Sequence, residues 1–222
     1  MVYRTTSRGM ALREASKSRI LAAAAALFAT KGYDATTMQD IVRKARTSIG
    51  NAYFYFHNKE AVMRAVLESA FLRIFDANEK RSGHIPDGPE RVGAIIALNV
   101  TSMLTARREM LDVLLADSRV SLVQELGDLS VGRWIRLLSL GFPERDRREL
   151  ELVAAAIWGV NRATVERVAR GQLRLETKEI VAFLVRWTLR ALDVAPKRID
   201  SIINSSWRLA LRNAREMETR TW

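Results

Sequence analysis

Side chains able to recognise a polyanion crowd together between positions 37 and 59. Thr37, Thr47 and Ser48 carry hydroxyls, Asn51 an amide, Tyr53 and Tyr55 phenols, and Arg46 and Lys59 cations, while Gly50 carries no side chain at all. Hydroxyls and amides hydrogen-bond base edges, cations hold phosphates, and a glycine lets a backbone come close. Catalysis has far less to build on. The chain lacks Cys and holds two His, His57 and His84, neither with a carboxylate or second His at metal-ligand spacing. There is no G-x-x-x-x-G-K loop, no G-x-G-x-x-G after a strand, no H-E-x-x-H and no G-x-S-x-G. The expectation is a binding protein without metal or cofactor, not an enzyme.

Helices must position these groups. Ile20, Leu21, Ala24, Leu27 and Phe28 recur at spacings of three and four, which predicts a helix over about 15–31 that Gly32 ends. Thr36 or Thr37 opens a short second helix, Thr36 with Gln39 reading as a capping box, with Met38, Ile41, Val42 and Ala45 inward. Arg46 and Thr47 break it. A third helix follows over about 48–56, with Ile49, Ala52, Tyr53, Phe54 and Phe56 assigned to its packed side. Its outer side then offers Thr47, Ser48, Gly50, Asn51 and Tyr55. Two short helices joined by a tight turn, over about 36–55, form a helix-turn-helix. A B-DNA major groove about 12 Å wide admits one helix, and a second must brace it. Asn58 caps a long fourth helix over about 59–81.

Charge agrees with a nucleic-acid partner. The chain has 222 residues and a formal net charge of +11. Its first 60 residues hold ten Lys and Arg against four Asp and Glu, so positive charge concentrates at the front. The first dozen residues, with Arg4 and Arg8, read as a mobile basic arm. No run reaches the ~18 apolar residues of a membrane span. The apolar stretch Ile20 to Ala29 lies too late, and is too rich in Ala, for a secretory signal. A cytoplasmic protein with no membrane partner is expected.

The remainder reads as helix after helix. Residues 82–89 form a loop. Helices are expected over about 90–106, 109–116, 118–140 (kinked at Gly127 or Gly132), 144–169, 177–193 and 197–217. That makes an all-α protein of nine or ten helices. Trp134 and Trp158 on apolar helices, with Met103 and the polar Asn99 and Asn161 in apolar stretches, are candidates to line a ligand pocket. Packing in the core is the competing role for each.

The segment ILAAAAALFATKGYDATTMQDIVRKARTSIGNAYFYFHNKEAVMRAVL, Ile20 to Leu67, resembles the DNA-binding domain of the TetR family of bacterial transcriptional regulators. LFATKGYDATTM, IVRKA, TSIGNAYFYF and NKEAV carry the likeness, which covers the first third of the chain. It implies a DNA-binding domain over about 13–73 and an effector-sensing, dimerising helical bundle over 74–222. It implies a ligand-responsive regulator, by family tendency a repressor, that binds a palindromic double-stranded operator as a homodimer and leaves it when a small-molecule effector binds. A non-specific architectural DNA binder and an activator of the same family are the alternatives. By the same likeness, Thr37, Tyr53 and Lys59 contact phosphates, Ser48, Gly50 and Asn51 face the groove, and Tyr55 touches backbone or base. Helices near 144–170 and 177–193 pair with their copies, with Ala154, Ile157, Val160, Thr164, Leu184, Trp187 and Ala191 expected between subunits. Arg46 stands where the family usually has Gly. If that turn needs φ > 0, Arg costs about 1 kcal/mol there, offset if its long side chain reaches a phosphate.

Overall fold

The computed structural model describes residues 7–105 and 120–219. Among these residues the chain forms helices and no strand: α1 Ser7–Lys31, α2 Met38–Ala45, α3 Ile49–Tyr55, α4 Lys59–Arg81, α5 Pro89–Leu104, α6 Val120–Gly141, α7 Arg147–Ala169, α8 Thr177–Ala191 and α9 Pro196–Thr219. The helix expected over 109–116 lies outside the described residues.

Several boundaries differ from the sequence reading, each for a local reason. α1 starts two turns earlier than its apolar stripe. Residues 10–15 (MALREA) are strong helix formers but lie on the surface, with Met10 and Leu12 52% and 66% exposed. The expected arm is thus helical from Ser7 onward. Of the two threonines that could open α2, Thr37 is the cap, and its box partner is Asp40 rather than Gln39. The Thr37 hydroxyl accepts the Asp40 N–H at 3.1 Å, and the Asp40 carboxylate accepts the Thr37 N–H at 3.1 Å. Thr36 is buried and donates to the Gly32 carbonyl at 2.6 Å. α6 runs unbroken through Gly127 and Gly132. A Cβ on Gly127 would lie 2.8 Å from Trp158 Nε1, so that glycine makes room for an indole rather than a kink.

Two apolar clusters hold the chain together. The first gathers Ile20, Ala24 and Phe28 of α1, Ile41 and Ala45 of α2, Ala52 and Phe56, and Val62, Met63 and Leu67 of α4. It continues up α4 to Phe71 and Phe75 and takes in Leu126 of α6. The second is organised around α5, which is buried on every side from Val92 to Ser102. A helix apolar all round belongs inside a bundle. Trp134 and Leu138 of α6, Leu150, Ala154 and Ile157 of α7, Ile180 and Leu184 of α8, and Ile199 and Ile202 of α9 surround it.

Ala154, Ile157 and Leu184 therefore fill the protomer's own core, and their expected place between subunits is corrected. α7 and α8 each have two apolar sides, and periodicity cannot say which side meets which partner. The outward sides carry Leu152 at 73% exposure and Phe183 at 56%.

α4 runs from the first cluster to the edge of the second. Phe71 meets Trp158 edge-on at 5.9 Å, and Phe75 meets Trp134 edge-on at 6.5 Å. Further along, the buried Asn78 amide donates to Asn99 Oδ1 of α5 at 2.8 Å. Arg136 of α6 forks onto Glu79 at 2.8 and 2.9 Å, and Arg133 pairs with Asp76 at 2.7 Å. Aromatic stacking, a buried amide pair and ion pairs together make α4 a stiff link between its first turns and the bundle.

The closeness of α5 to α9 yields a direct test. A Cβ on Gly93 would lie 2.4 Å from Ile202 Cγ2 and 3.2 Å from Ser206 Oγ. Gly93→Ala is expected to destabilise the chain by about 1–3 kcal/mol through overpacking, despite Ala's better helix propensity. Chemical denaturation of the two proteins measures the difference.

Candidate nucleic-acid interface

α3 has seven residues, too few to hold a helix alone in water. Its shape comes from its ends and its inner side. Before it, α2 closes with the Arg46 N–H donating to the Arg43 carbonyl and the Thr47 N–H to that of Val42, at 3.3 and 3.1 Å. Arg46 sits at φ 51°, ψ 53°, the left-handed region that the sequence position raised as a possibility. This conformation reverses the chain within two residues. Ser48 then caps α3, its hydroxyl accepting the Asn51 N–H at 3.1 Å.

The inner side rests on Ala52, fully buried, and Phe56, 4% exposed. Two residues assigned outward turn out to face inward. Asn51 is half-buried, and its Nδ2 donates to Ser16 Oγ of α1 at 2.9 Å and to Thr47 Oγ1 at 2.7 Å. Both amide hydrogens thus bind α3 to its own domain. Tyr55 is half-buried against the first cluster and packs on Phe56 with ring centroids 6.3 Å apart.

Ile49 and Phe54, assigned inward, face outward, and so does Tyr53, which its spacing put inward and the family likeness put against phosphate. Phe54 is 69% exposed, Tyr53 48% and Ile49 42%. The helical phase is rotated from the sequence reading because YFYF offers four aromatic rings and no polar residue to mark the wet side. Gly50 lies on the same outer side, exposed, with no atom within 4 Å of where a Cβ would sit. Thr47 is half-buried, whereas Thr37, Arg46 and Ser48 are exposed.

Cations ring this surface. Arg43, Lys44 and Arg46 are exposed at the end of α2 and in the turn. From α1, the Arg13 guanidinium lies 6.0 Å from the Phe54 ring centre. Lys59 is otherwise engaged. Its ammonium donates to the Tyr33 carbonyl at 2.8 Å and sits 4.2 Å from the Tyr33 ring centre. It clamps the α1–α2 loop to the start of α4, a role sequence reasoning missed. Asp40 is the counterweight. It accepts from Lys31 at 2.7 Å and Arg43 at 2.5 Å, and its carboxyl is held well below the usual range, chiefly by Lys31 and then by the Thr37 N–H.

The five pocket candidates do not converge on one described cavity. Trp134 and Asn99 are 2% and 3% exposed, Asn161 is buried, and Met103 and Trp158 are half-buried. Asn99 Nδ2 is buried without a hydrogen-bond partner. A cavity of about 450 Å³ between α4 and α6 is lined by Glu68, Glu125, Leu126, Asp128 and Leu129, none of them among the five.

An outward-facing helix, braced by a second across a left-handed turn and ringed by cations, defines a helix-turn-helix DNA-binding protein. Residues 20–66 match the model of the bacterial regulatory proteins of the tetR family. This segment carries that family's helix-turn-helix motif, and the chain is similar to several of its transcriptional regulators. It is 25% identical over 154 residues to the uncharacterised HTH-type transcriptional regulator YfiR of Bacillus subtilis (strain 168), covering 64% of this chain and 73% of that one. It is 26% identical over 148 residues to the HTH-type transcriptional repressor KstR of Mycolicibacterium smegmatis, covering 64% and 72%. The crystal structure of RolR in complex with resorcinol shares the fold, with a TM-score of 0.67 at 21% identity over 87% of this chain and 95% of that one. No helix among the described residues is long and apolar enough to cross a membrane.

The Asp40 network predicts a pH dependence. A carboxyl whose native pKa is depressed contributes stability that is complete above its unfolded value, about 3.9, and is lost as pH falls through the lower native value. Asp40→Asn keeps the cap acceptor but loses the charge. Urea melts from pH 6 to 2.5 are expected to show the wild type more stable near neutrality, with the gap closing below about pH 4. A gap independent of pH would show that the charge contributes nothing.

Proposed function

We propose that this protein is a dimeric, ligand-responsive repressor that reads a palindromic operator with the outer side of α3 and leaves it when a small-molecule effector occupies the helical body. The observation that carries this reading is the α2–α3 geometry. The outer side of α3 is open, its inner side is buried, and exposed cations stand at its borders. We assign about 13–73 to DNA recognition and 74–222 to sensing and dimerisation, with α4 shared.

The roles follow from the geometry. Gly50 admits close approach to base edges, and Tyr53 and Phe54 flank it. Thr37, Ser48 and Arg46, all exposed, are placed for phosphates, since a hydroxyl that accepts a cap bond still has its hydrogen to donate. Asn51, Tyr55 and Lys59 position α3 rather than touch bases.

A pair of α3 helices needs a two-fold axis. The outward sides of α7 and α8 supply an apolar surface for it: Leu152, Ala155 and Gly159 on one, Phe183 and the half-buried Trp187 on the other. Small residues let helices of two copies approach, and the large ones interlock. The family's repressor KstR supports the sign of regulation, and RolR with resorcinol supports a helical body that admits a small molecule. Release is a population shift. An effector that prefers a bundle arrangement incompatible with groove spacing lowers DNA affinity through α4.

Selection of full-chain binding sites from random duplexes tests this. The expected result is an inverted repeat with half-site centres about 34–36 Å apart, preferred at least ~10³-fold over random duplex. Absence of enrichment would favour an architectural binder. Gly50→Ala, which meets nothing in the free chain, is expected to retain thermal stability while weakening operator binding, on the order of tenfold, by crowding the groove. Phe183→Glu is expected to convert dimer to monomer in sedimentation, because a buried unpaired charge opposes association.

A further inference from the structure

The outer side of α3 has an unusual chemistry for reading bases. α3 contains no charged residue, so it offers no arginine or lysine for the bidentate contact with guanine. Its one amide is spent. Asn51 Nδ2 donates both hydrogens inside the domain, to Ser16 and Thr47, so the bidentate contact with adenine is also lost. What remains outward is mainly apolar: Phe54 at 69% exposure, Ile49 at 42% and the bare backbone of Gly50, with Tyr53 at 48% adding a ring that ends in a hydroxyl. A ring as exposed as that of Phe54 on a monomer costs solvation: it meets the Tyr55 ring edge-on at 5.1 Å and the Arg13 guanidinium at 6.0 Å, and most of its surface stays open.

Charge on the surrounding surface says what covers it. Arg43, Lys44 and Arg46 are exposed at the border, while the centre is uncharged. An apolar centre inside a cationic rim matches the major groove, where phosphates line the edges and the floor carries one apolar group, the C5-methyl of thymine. A protein partner would find a repulsive rim unless it were itself strongly acidic.

We propose that this protein reads its operator chiefly through thymine methyl groups, with Phe54 as the specificity-determining residue and Ile49 as its neighbour. The inference rests on the assignment of α3 to the groove and names what it recognises there: A·T pairs whose methyls face the helix. Gly50 permits the approach, and Arg13, held along the Phe54 ring, sets the ring's tilt and brings a cation beside the contacted pair. Specificity then comes from shape and from burial of methyl surface, and affinity from the rim.

The experiment uses the full chain and the operator that emerges from selection. Each thymine of a half-site is replaced in turn by deoxyuridine, which removes the methyl and keeps every Watson–Crick hydrogen bond. Flanking thymines outside the half-sites serve as controls. Binding is followed by fluorescence anisotropy at fixed salt. One or two positions per half-site are expected to lose about fourfold in affinity, the worth of one buried methyl, and symmetric replacement in both half-sites about 15-fold. Phe54→Ala, at an exposed position with folding confirmed by its melting temperature, is expected to bind the thymine operator more weakly and to bind the uracil operator equally well. Phe54→Leu retains an apolar contact and is expected to keep part of the discrimination.

The proposal is overturned if no position loses more than twofold, or if Phe54→Ala discriminates thymine from uracil as well as the wild type does. An operator that is selected strongly yet indifferent to methyl removal sinks this inference and leaves the regulator reading intact. Failure to select any sequence sinks both: retained affinity for random duplex then points to an architectural binder, and no affinity for DNA to a protein partner for the exposed aromatic surface.

Discussion

Everything about DNA recognition in this chain depends on how a seven-residue helix is held. α3 contributes too few internal hydrogen bonds to stand alone, so its direction is set by what grips its inner side. Ala52 and Phe56 press into the first cluster, Ser48 supplies the cap, and Asn51 is tied across to Ser16 of α1. The left-handed conformation at Arg46 fixes the angle between α2 and α3. Each grip is modest, near 1 kcal/mol for a neutral hydrogen bond or a cap. Together they leave α3 one orientation. The cost of the turn is carried by a residue whose charge stands where a polyanion would come.

The second constraint is mechanical. α4 is anchored at its start by Lys59 on the Tyr33 carbonyl and at its far end by Asn78 on Asn99. Between these anchors its aromatic rings pack on Trp158 and Trp134. A helix fixed at both ends cannot tilt in the bundle without moving the reading head. The buried polar residues near Asn78 sharpen this. Ser102 accepts from Asn213 of α9 at 3.5 Å, so α4, α5 and α9 meet at one hydrogen-bonded layer. Such a layer permits few arrangements, which favours switching between discrete states over gradual deformation.

The sequence carried the fold further than it carried the site. α4 was legible to the residue, because Asn58 is a cap and Arg81 precedes a loop rich in turn residues. The all-α class followed from apolar spacing, and the family from a string whose parts are weak singly. What stayed illegible was the phase of α3. A helix of two turns gives too few residues to define an apolar stripe, and four consecutive aromatics supply no polar marker. Asn51 looked like a base reader by type, yet its partner Ser16 lies 35 residues away on another helix, and no local pattern encodes that contact. Lys59 misled in the same way. Its partner is a loop carbonyl, which sequence does not announce. The extension of α1 to Ser7 was hidden because helix propensity, not burial, creates it. The sides of α7 and α8 were exchanged because both are apolar, and only packing separates core from free surface.

Site-specific photo-crosslinking tests the orientation of α3 most directly. p-Benzoylphenylalanine placed at position 54 and, separately, at position 55 reports which side of the helix meets the bases in the operator complex. The structure predicts that position 54 crosslinks to one defined base in each half-site and that position 55 gives none. A crosslink from position 55 with position 54 silent would mean that α3 is presented the other way round, and that the groove-reading surface described above is wrong.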